Sequence, residues 1–369
     1  MAGIYVHIPF CKSKCAYCNF FSVVSERQRA DFLDALKREA VARKDYLGGE
    51  EVRTVYFGGG TPSILKASEI SEILDCLKMN YKIAAASEIT LEANPDTVSK
   101  ESLLEYKSLG INRLSVGIQS FFDDDLQYLS RKHDSNHALQ VLDWAQEVGF
   151  QEVTLDLIYG IPTLTDEKWR KNLEIFFSTG YNHLSAYALT VEERTALGQR
   201  INKGAAAPVN EDATIRQYEI LCKMTENQGF EHYEISNFAR PGHYSKHNTI
   251  YWKGEKYLGL GPSAHSFDGV SRQWNVASVK DYCESYSFER EDLTLDDRYN
   301  EYIMTSLRTM WGVDLEHIRD NFGEKYAKKF EKGVKNHILT GKMFQKDQKF
   351  ILNDKGMLFA DGIAAELFA

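Results

Sequence analysis

The sequence predicts an α/β protein of parallel strands joined by crossover helices, and three observations predict it. Between residues 3 and 228, short β-branched or aromatic runs alternate six times with longer amphipathic stretches. The far ends of those runs are unusually polar or glycine-rich, and in parallel β/α folds that end carries the site. The 369 residues are 43% hydrophobic and 26% charged, which supports a sizeable core and excludes disordered, collagen-like and disulfide-scaffold classes.

The first strand is expected over 3–8. The helix after it spans 26–46, where Phe32, Leu33, Leu36 and Ala40 recur at helical spacing. Strands at 53–57, 88–93, 113–118, 152–158 and 183–188 then alternate with helices at 67–80, 100–108, 136–148, 166–178 and 211–227. Regularity stops after 228: residues 231–238, a polar stretch around Lys246, His247 and Asn248, and the glycine-rich run 258–262 carry no sustained period. From about 291 the chain reads as mainly helical, with a hairpin of 342–344 against 349–352, a winged-helix-like arrangement. The expected division is therefore 1–228, an extension over 229–290, and a small C-terminal domain over 291–369. Residues 291–369 hold 12 basic and 14 acidic residues, a net of −2, which favours packing over DNA binding.

Overall, 44 basic and 53 acidic residues give a net charge of −9, which argues against a nucleic-acid or anionic-lipid footprint. No run approaches the ~18 apolar residues of a membrane span. Residues 1–7 lack the basic and long apolar regions of a secretory signal, so a cytoplasmic protein is expected. Of six cysteines, Cys76, Cys222 and Cys283 are scattered and read as buried apolar residues. The other three, Cys11, Cys15 and Cys18, crowd just beyond the first strand, where three thiolates can hold one metal or an iron–sulfur cluster. Structural zinc would need a fourth protein ligand, and His7 and Asn19 are poor candidates; zinc or redox thiols remain the alternative on the residues alone.

The second strand run ends in Gly58, Gly59, Gly60 and Thr61, where glycines let backbone N–H groups face an anion. Glu92, Gln119, Arg131 and Asp156 fall at or just past later strand ends. A ligand with an amine, a carboxylate and a diol needs such groups, although Arg131 could equally sit in a solvated loop and Glu92 could cap a helix.

The spacing C-x3-C-x2-C, with Tyr17 before the third cysteine, resembles the radical S-adenosylmethionine superfamily. The resemblance implies an open, partial TIM-like (β/α)6 barrel and a [4Fe-4S] cluster on Cys11, Cys15 and Cys18. It also implies S-adenosylmethionine on the cluster's open iron, cleaved by an electron to a 5′-deoxyadenosyl radical. Gly59, Gly60 and Thr61 match the superfamily's glycine motif. Similarity to the coproporphyrinogen-dehydrogenase-like branch implies cofactor contacts at Glu92, Gln119, Arg131 and Asp156, and adds Tyr5 and Ala188.

That branch contains oxygen-independent coproporphyrinogen III dehydrogenases, radical decarboxylases of porphyrinogen propionates, and HemW-type haem chaperones, which bind haem and pass it to acceptor proteins. The dehydrogenase pattern has a further cysteine two residues after the third, where this chain has Phe20, and a longer segment before the cluster motif, where ten residues precede Cys11. His247, Asn248, Tyr251 and Trp252 match the H-N-x-x-Y-W motif of the chaperone group. The resemblance therefore implies a haem chaperone, with His247 as axial ligand, Tyr251 and Trp252 packed on the porphyrin, and His243 as a substitute ligand. His265 has no assigned role. Haem-accepting proteins, respiratory ones at a membrane included, and a homodimer are the partners it implies; radical decarboxylation of coproporphyrinogen is the alternative.

Overall fold

The computed structural model describes residues 2–369. Six parallel strands form its centre: β1 (Ala2–Ile8), β2 (Val52–Gly59), β3 (Ile83–Ala93), β4 (Arg113–Gln119), β5 (Glu152–Tyr159) and β6 (His183–Ala188). Between them run α1 (Arg29–Ala42), α2 (Ala67–Asn80), α3 (Lys100–Ser108), α4 (Asp123–Tyr128), α5 (Ser135–Val148) and α6 (Asp166–Ser178). After β6 come α7 (Ala196–Asn202) and α8 (Glu211–Asn227). Side-chain caps mark the helix starts: Ser99 for α3, Asp134 for α5, Thr165 for α6 and Asn210 for α8 each accept a backbone N–H from the first turn. α5 ends on Gly149 at φ 86°, a left-handed position suited to glycine.

The barrel is open because β1 and β6 never pair. β7 (Glu231–Glu234) and β8 (Asn237–Ala239) add antiparallel strands beyond β6. After α9 (Lys246–Trp252), β9 (Lys256–Leu260) runs parallel to β1 on its outer side. β10 (His265–Phe267), β11 (Ser271–Asn275), α10 (Val279–Glu284) and β12 (Phe288–Asp292) follow, the three strands completing a twelve-stranded sheet. The glycine-rich run 258–262 is thus part strand: Gly259 lies where a Cβ would collide with the backbone of His265.

The last unit comprises α11 (Leu295–Leu307), β13 (Val313–Asp314), α12 (Leu315–Phe322), α13 (Glu324–Gly333) and α14 (Lys335–Leu339). It closes with β14 (Met343–Lys346), β15 (Lys349–Leu352), α15 (Asp354–Met357) and α16 (Ala360–Leu367). The hairpin and β13 make a three-stranded wing in the order β13-β15-β14. No described helix is long and apolar enough to cross a membrane.

One buried polar knot joins barrel and extension. Glu39 on α1, fully buried, accepts from Arg43, the Gly261 N–H, Asn275 and the Tyr282 hydroxyl at 2.7–3.1 Å. Of the scattered cysteines, Cys76 is buried as expected, whereas Cys222 and Cys283 are only half-buried.

Candidate functional site

The loop after β1 carries the three thiols, and short hydrogen bonds hold its neck: Cys11 N–H donates to Val23 O at 3.0 Å and Val23 N–H to Pro9 O at 2.7 Å. Its middle is clamped on both sides, Ala16 N–H donating to Leu129 O at the end of α4 (3.1 Å) and Ala16 O accepting from Leu197 in α7 (2.7 Å). Neither of these short helices is legible in the sequence, because six or seven residues carry too little periodicity. Cys11, Cys15 and Cys18 emerge half-buried on the wall of a cavity of about 340 Å³ at the C-terminal ends of the strands. The Thr61 hydroxyl donates to Cys11 Sγ at 3.5 Å, and Arg131 Nη1 donates to Cys15 Sγ at 3.3 Å. Burial raises the Cys11 and Cys18 thiols above their ordinary range.

Thiol spacing bears on what they can hold. Among the described residues, the one group of three ligating atoms all within 4.8 Å is Cys222, His232 and Asp354, so the triplet's three sulfurs are more widely spread. Sulfurs on one tetrahedral zinc, each at ~2.3 Å from the metal, lie about 3.8 Å apart. The wider set, with no closing fourth ligand in it, suits a polynuclear iron–sulfur cluster.

The glycine turn closes over the cysteine loop. A Cβ on Gly60 would come within 2.7 Å of Phe10 O and 3.0 Å of Cys11 Sγ, so glycine is required for this approach. Deeper in the cavity stand two carboxylates. Glu92 accepts from the Tyr56 hydroxyl at 2.9 Å and from Gly59 N–H at 3.2 Å, and burial nonetheless pushes it up to about 7. Asp156, which accepts from the Ser115 hydroxyl at 3.2 Å, is pushed up to about 8 by burial and by the charge of Glu92. Arg131 faces them, donating from Nη2 to Asn94 Oδ1 (2.8 Å) and Gly117 O (2.7 Å) while its buried Nε has no partner. Gln119, at φ 69°, ends β4 in a left-handed conformation that turns its amide inward, where Tyr187 donates to it at 3.1 Å.

The structure therefore gathers Cys11, Cys15, Cys18, Gly59, Gly60, Thr61, Glu92, Gln119, Arg131 and Asp156 around one cavity. Three expected positions are not on its wall. Tyr5 stacks behind Tyr56, at 6.0 Å between ring centres, with its hydroxyl 3.3 Å from His7 Nδ1. Ala188 is displaced by the pleat of β6, which turns Ser185 and Tyr187 inward instead. Asn94, overlooked in the sequence, bridges Thr61 (2.9 Å) and Arg131 (2.8 Å); its place two residues past Glu92 at a strand end was the available signal. Ser115 and Thr154 also line the cavity, and strand alternation with Asp156 and Gly117 would have found them.

His247, the third, departs most from expectation. α9 plugs the N-terminal end of the barrel, where the Glu88 carboxylate accepts the N–H groups of Lys246 (3.2 Å) and His247 (3.0 Å). The buried imidazole has Nδ1 2.8 Å from the Thr54 hydroxyl and Nε2 2.8 Å from the Tyr251 hydroxyl, and it stacks on Tyr56 at 5.0 Å. Burial lowers it to about 3. Both ring nitrogens are thus engaged by hydroxyls and the ring lies off the cavity wall, so this arrangement presents no open nitrogen of His247 to an iron. His243, the expected substitute, has its Nδ1 2.8 Å from Glu152, at the opposite end of the barrel from the thiols. Trp252 lies beneath the Arg308 guanidinium (5.6 Å).

The chain is similar to known proteins. Residues 5–176 match the radical SAM superfamily and residues 293–359 the HemN C-terminal domain. The chain is 31% identical to heme chaperone HemW of Bacillus subtilis, covering 98% of each protein. It is 32% identical to heme chaperone HemW of Mycobacterium tuberculosis, covering 99% of this chain and 94% of that protein. The solved structure of coproporphyrinogen III oxidase (HemN) from Escherichia coli, described as a radical SAM enzyme, superposes with a TM-score of 0.86 at 24% identity, covering 100% of this chain and 90% of that one. At that identity the match bears on fold alone.

Proposed function

Because the chain belongs to the radical SAM superfamily and, within it, to the HemW family, we propose that it is a haem carrier that binds haem and delivers it to acceptor proteins. In this reading Cys11, Cys15 and Cys18 hold a [4Fe-4S] cluster, and Glu92, Asp156, Gln119, Arg131 and the Gly59–Thr61 turn hold S-adenosylmethionine. The cluster with its bound sulfonium supplies one-electron chemistry. The chain's own groups orient and shield it: Arg131 offers cationic donors to a carboxylate and to Cys15, and the buried carboxylates await an ammonium or hydroxyls.

The observation that carries the reading is the full-length likeness to HemW proteins. Phe20 supports it: the dehydrogenase pattern has a cysteine there, and this chain instead has a phenyl ring 72% exposed at the cavity rim. The test uses cluster-reconstituted protein under anaerobic conditions. Stoichiometric haem uptake and passage to an apo-haem protein are expected, with no protoporphyrinogen formed from coproporphyrinogen III, S-adenosylmethionine and a low-potential reductant. Repeated turnover of coproporphyrinogen, or no haem uptake, would overturn it.

A further inference from the structure

The barrel cavity is lined by the groups that a cluster and its nucleotide partner would take, which leaves a tetrapyrrole to be housed elsewhere. A second cavity, of about 460 Å³, opens between the extension and the C-terminal domain and shares no lining residue with the first. That volume lies within the ~300–1,000 Å³ range of small-molecule sites. Its walls are aromatic. Tyr251 and Tyr257, 4.6 Å apart, form one side with Phe267, while Tyr302 and Phe322, 6.0 Å apart, come from α11 and α12 on the other. Such walls suit a planar, largely apolar ligand.

The charge of this cavity runs against that of the chain. Lys253, Arg272 and Arg298 line it against a single carboxylate, Glu301, in a protein of net charge −9. Glu301 engages Arg272 at 2.7 Å. Arg298 makes no ion pair among the described residues, and its buried Nε lacks a hydrogen-bond partner. An unpaired, partly buried guanidinium beside aromatic walls asks for a carboxylate from a ligand.

The cavity also holds an open imidazole. Among the described residues, His7, His133, His183, His232, His243, His247 and His337 have a ring nitrogen within bonding distance of an oxygen. His137, His265 and His317 do not, and of these His317 alone lines either cavity. His317 stacks on Tyr302 at 4.3 Å, and partial burial lowers its pKa, which keeps the ring neutral with a lone pair to give.

We infer that this second cavity is the haem site, with His317 as the axial ligand to iron and Arg298, aided by Arg272, receiving the propionates. The inference rests on the haem-carrier reading above and names its site. It puts the cargo on the face that the C-terminal domain builds, while the H-N-x-x-Y-W motif supplies a wall through Tyr251.

The test titrates the full-length protein with haemin, following the Soret band, for the parent and for His317→Ala, His317→Cys and Thr305→Trp. Thr305 lines the cavity from α11, so a tryptophan there fills it. His317→Ala is expected to weaken binding at least about tenfold and shift the band. His317→Cys is expected to bind with a thiolate-type spectrum, a change that a merely structural role would not produce, and Thr305→Trp to exclude haemin. Far-UV circular dichroism and cluster absorbance stay at parental values, since neither residue lines the barrel cavity. Parental affinity and spectrum in both His317→Ala and Thr305→Trp would overturn the site and leave the carrier reading standing. A parent chain that takes up no haemin removes the carrier reading itself, and this site with it.

Discussion

Glu92 offers the sharpest test of the barrel cavity, because its charge depends on what binds. Burial holds it at about 7 and Asp156 at about 8. If the ammonium of S-adenosylmethionine sits against an ionised Glu92, binding requires that carboxylate to lose its proton. A group titrating at about 7 is roughly one-tenth ionised at pH 6 and nine-tenths at pH 8, so affinity should fall about tenfold between pH 8 and pH 6. Requiring Asp156 to ionise as well adds a further factor of roughly fifty, since it goes from about one-half to about one-hundredth ionised. Above about pH 8 the ligand's α-ammonium itself deprotonates and the profile turns over. Glu92→Gln should weaken binding at pH 8 and remove the Glu92 part of the slope. Anaerobic equilibrium dialysis of S-adenosylmethionine against cluster-loaded protein at pH 6, 7 and 8 reads both effects. A flat parental profile, or a Glu92→Gln profile that keeps the parental slope, would refute the reasoning. The same shift has a signature in stability. The folded chain holds a Glu92 proton that the unfolded chain gives up near 4.5, so stability declines as pH rises from there through about 7.

Two further substitutions test the supports of the site. Gly60→Ala would drive a Cβ against Phe10 O and Cys11 Sγ, and the expected outcome is loss of iron–sulfur absorbance after reconstitution, with secondary structure retained by circular dichroism. Arg43→Met would strand the fully buried Glu39 without its cation and should cost about 3–5 kcal/mol in urea unfolding; a loss below about 1 kcal/mol would show that the Gly261, Asn275 and Tyr282 donors suffice.

What the sequence made legible was whatever depended on local periodicity and spacing. α2, α3, α6, α8 and β6 fall where their patterns put them, because each is long enough for its period or bounded by a capping residue. The cysteine triplet was legible because three thiols crowded within eight positions have little chemistry open to them besides ligation and redox exchange. The helix expected over 26–46 begins only at Arg29 and ends at Ala42, with Arg29 turned back to Glu26 and across to Glu69. The features that escaped depend on what lies opposite in space. His247 reads as an available imidazole until Thr54, 193 residues away, and Tyr251 occupy its two nitrogens. Asn94 matters because it stands between Thr61 and Arg131, and β9 is a strand because β1 has a free edge beside it.

The same opposition explains why the motif around His247 has its particular residues. α9 is a partition: Ser245 and Asn248 face the barrel cavity, Tyr251 faces the second cavity, and His247 ties the two sides through its bond to the Tyr251 hydroxyl. The partition is fixed. Ser245 caps it, Glu88 binds its first N–H groups, and Ile250 packs where Gly3 has no side chain to obstruct it. A neutral imidazole fits this place because it can accept from one hydroxyl and donate to another while buried, which a lysine or a phenyl ring cannot do. This wall of the second cavity is thereby pinned on β1, β2 and β3. The opposite wall leaves His317 and Asn321 exposed on and beside the cavity, while Glu301 on α11 is held by Arg272 of β11 and Tyr302 by the backbone of Asp314.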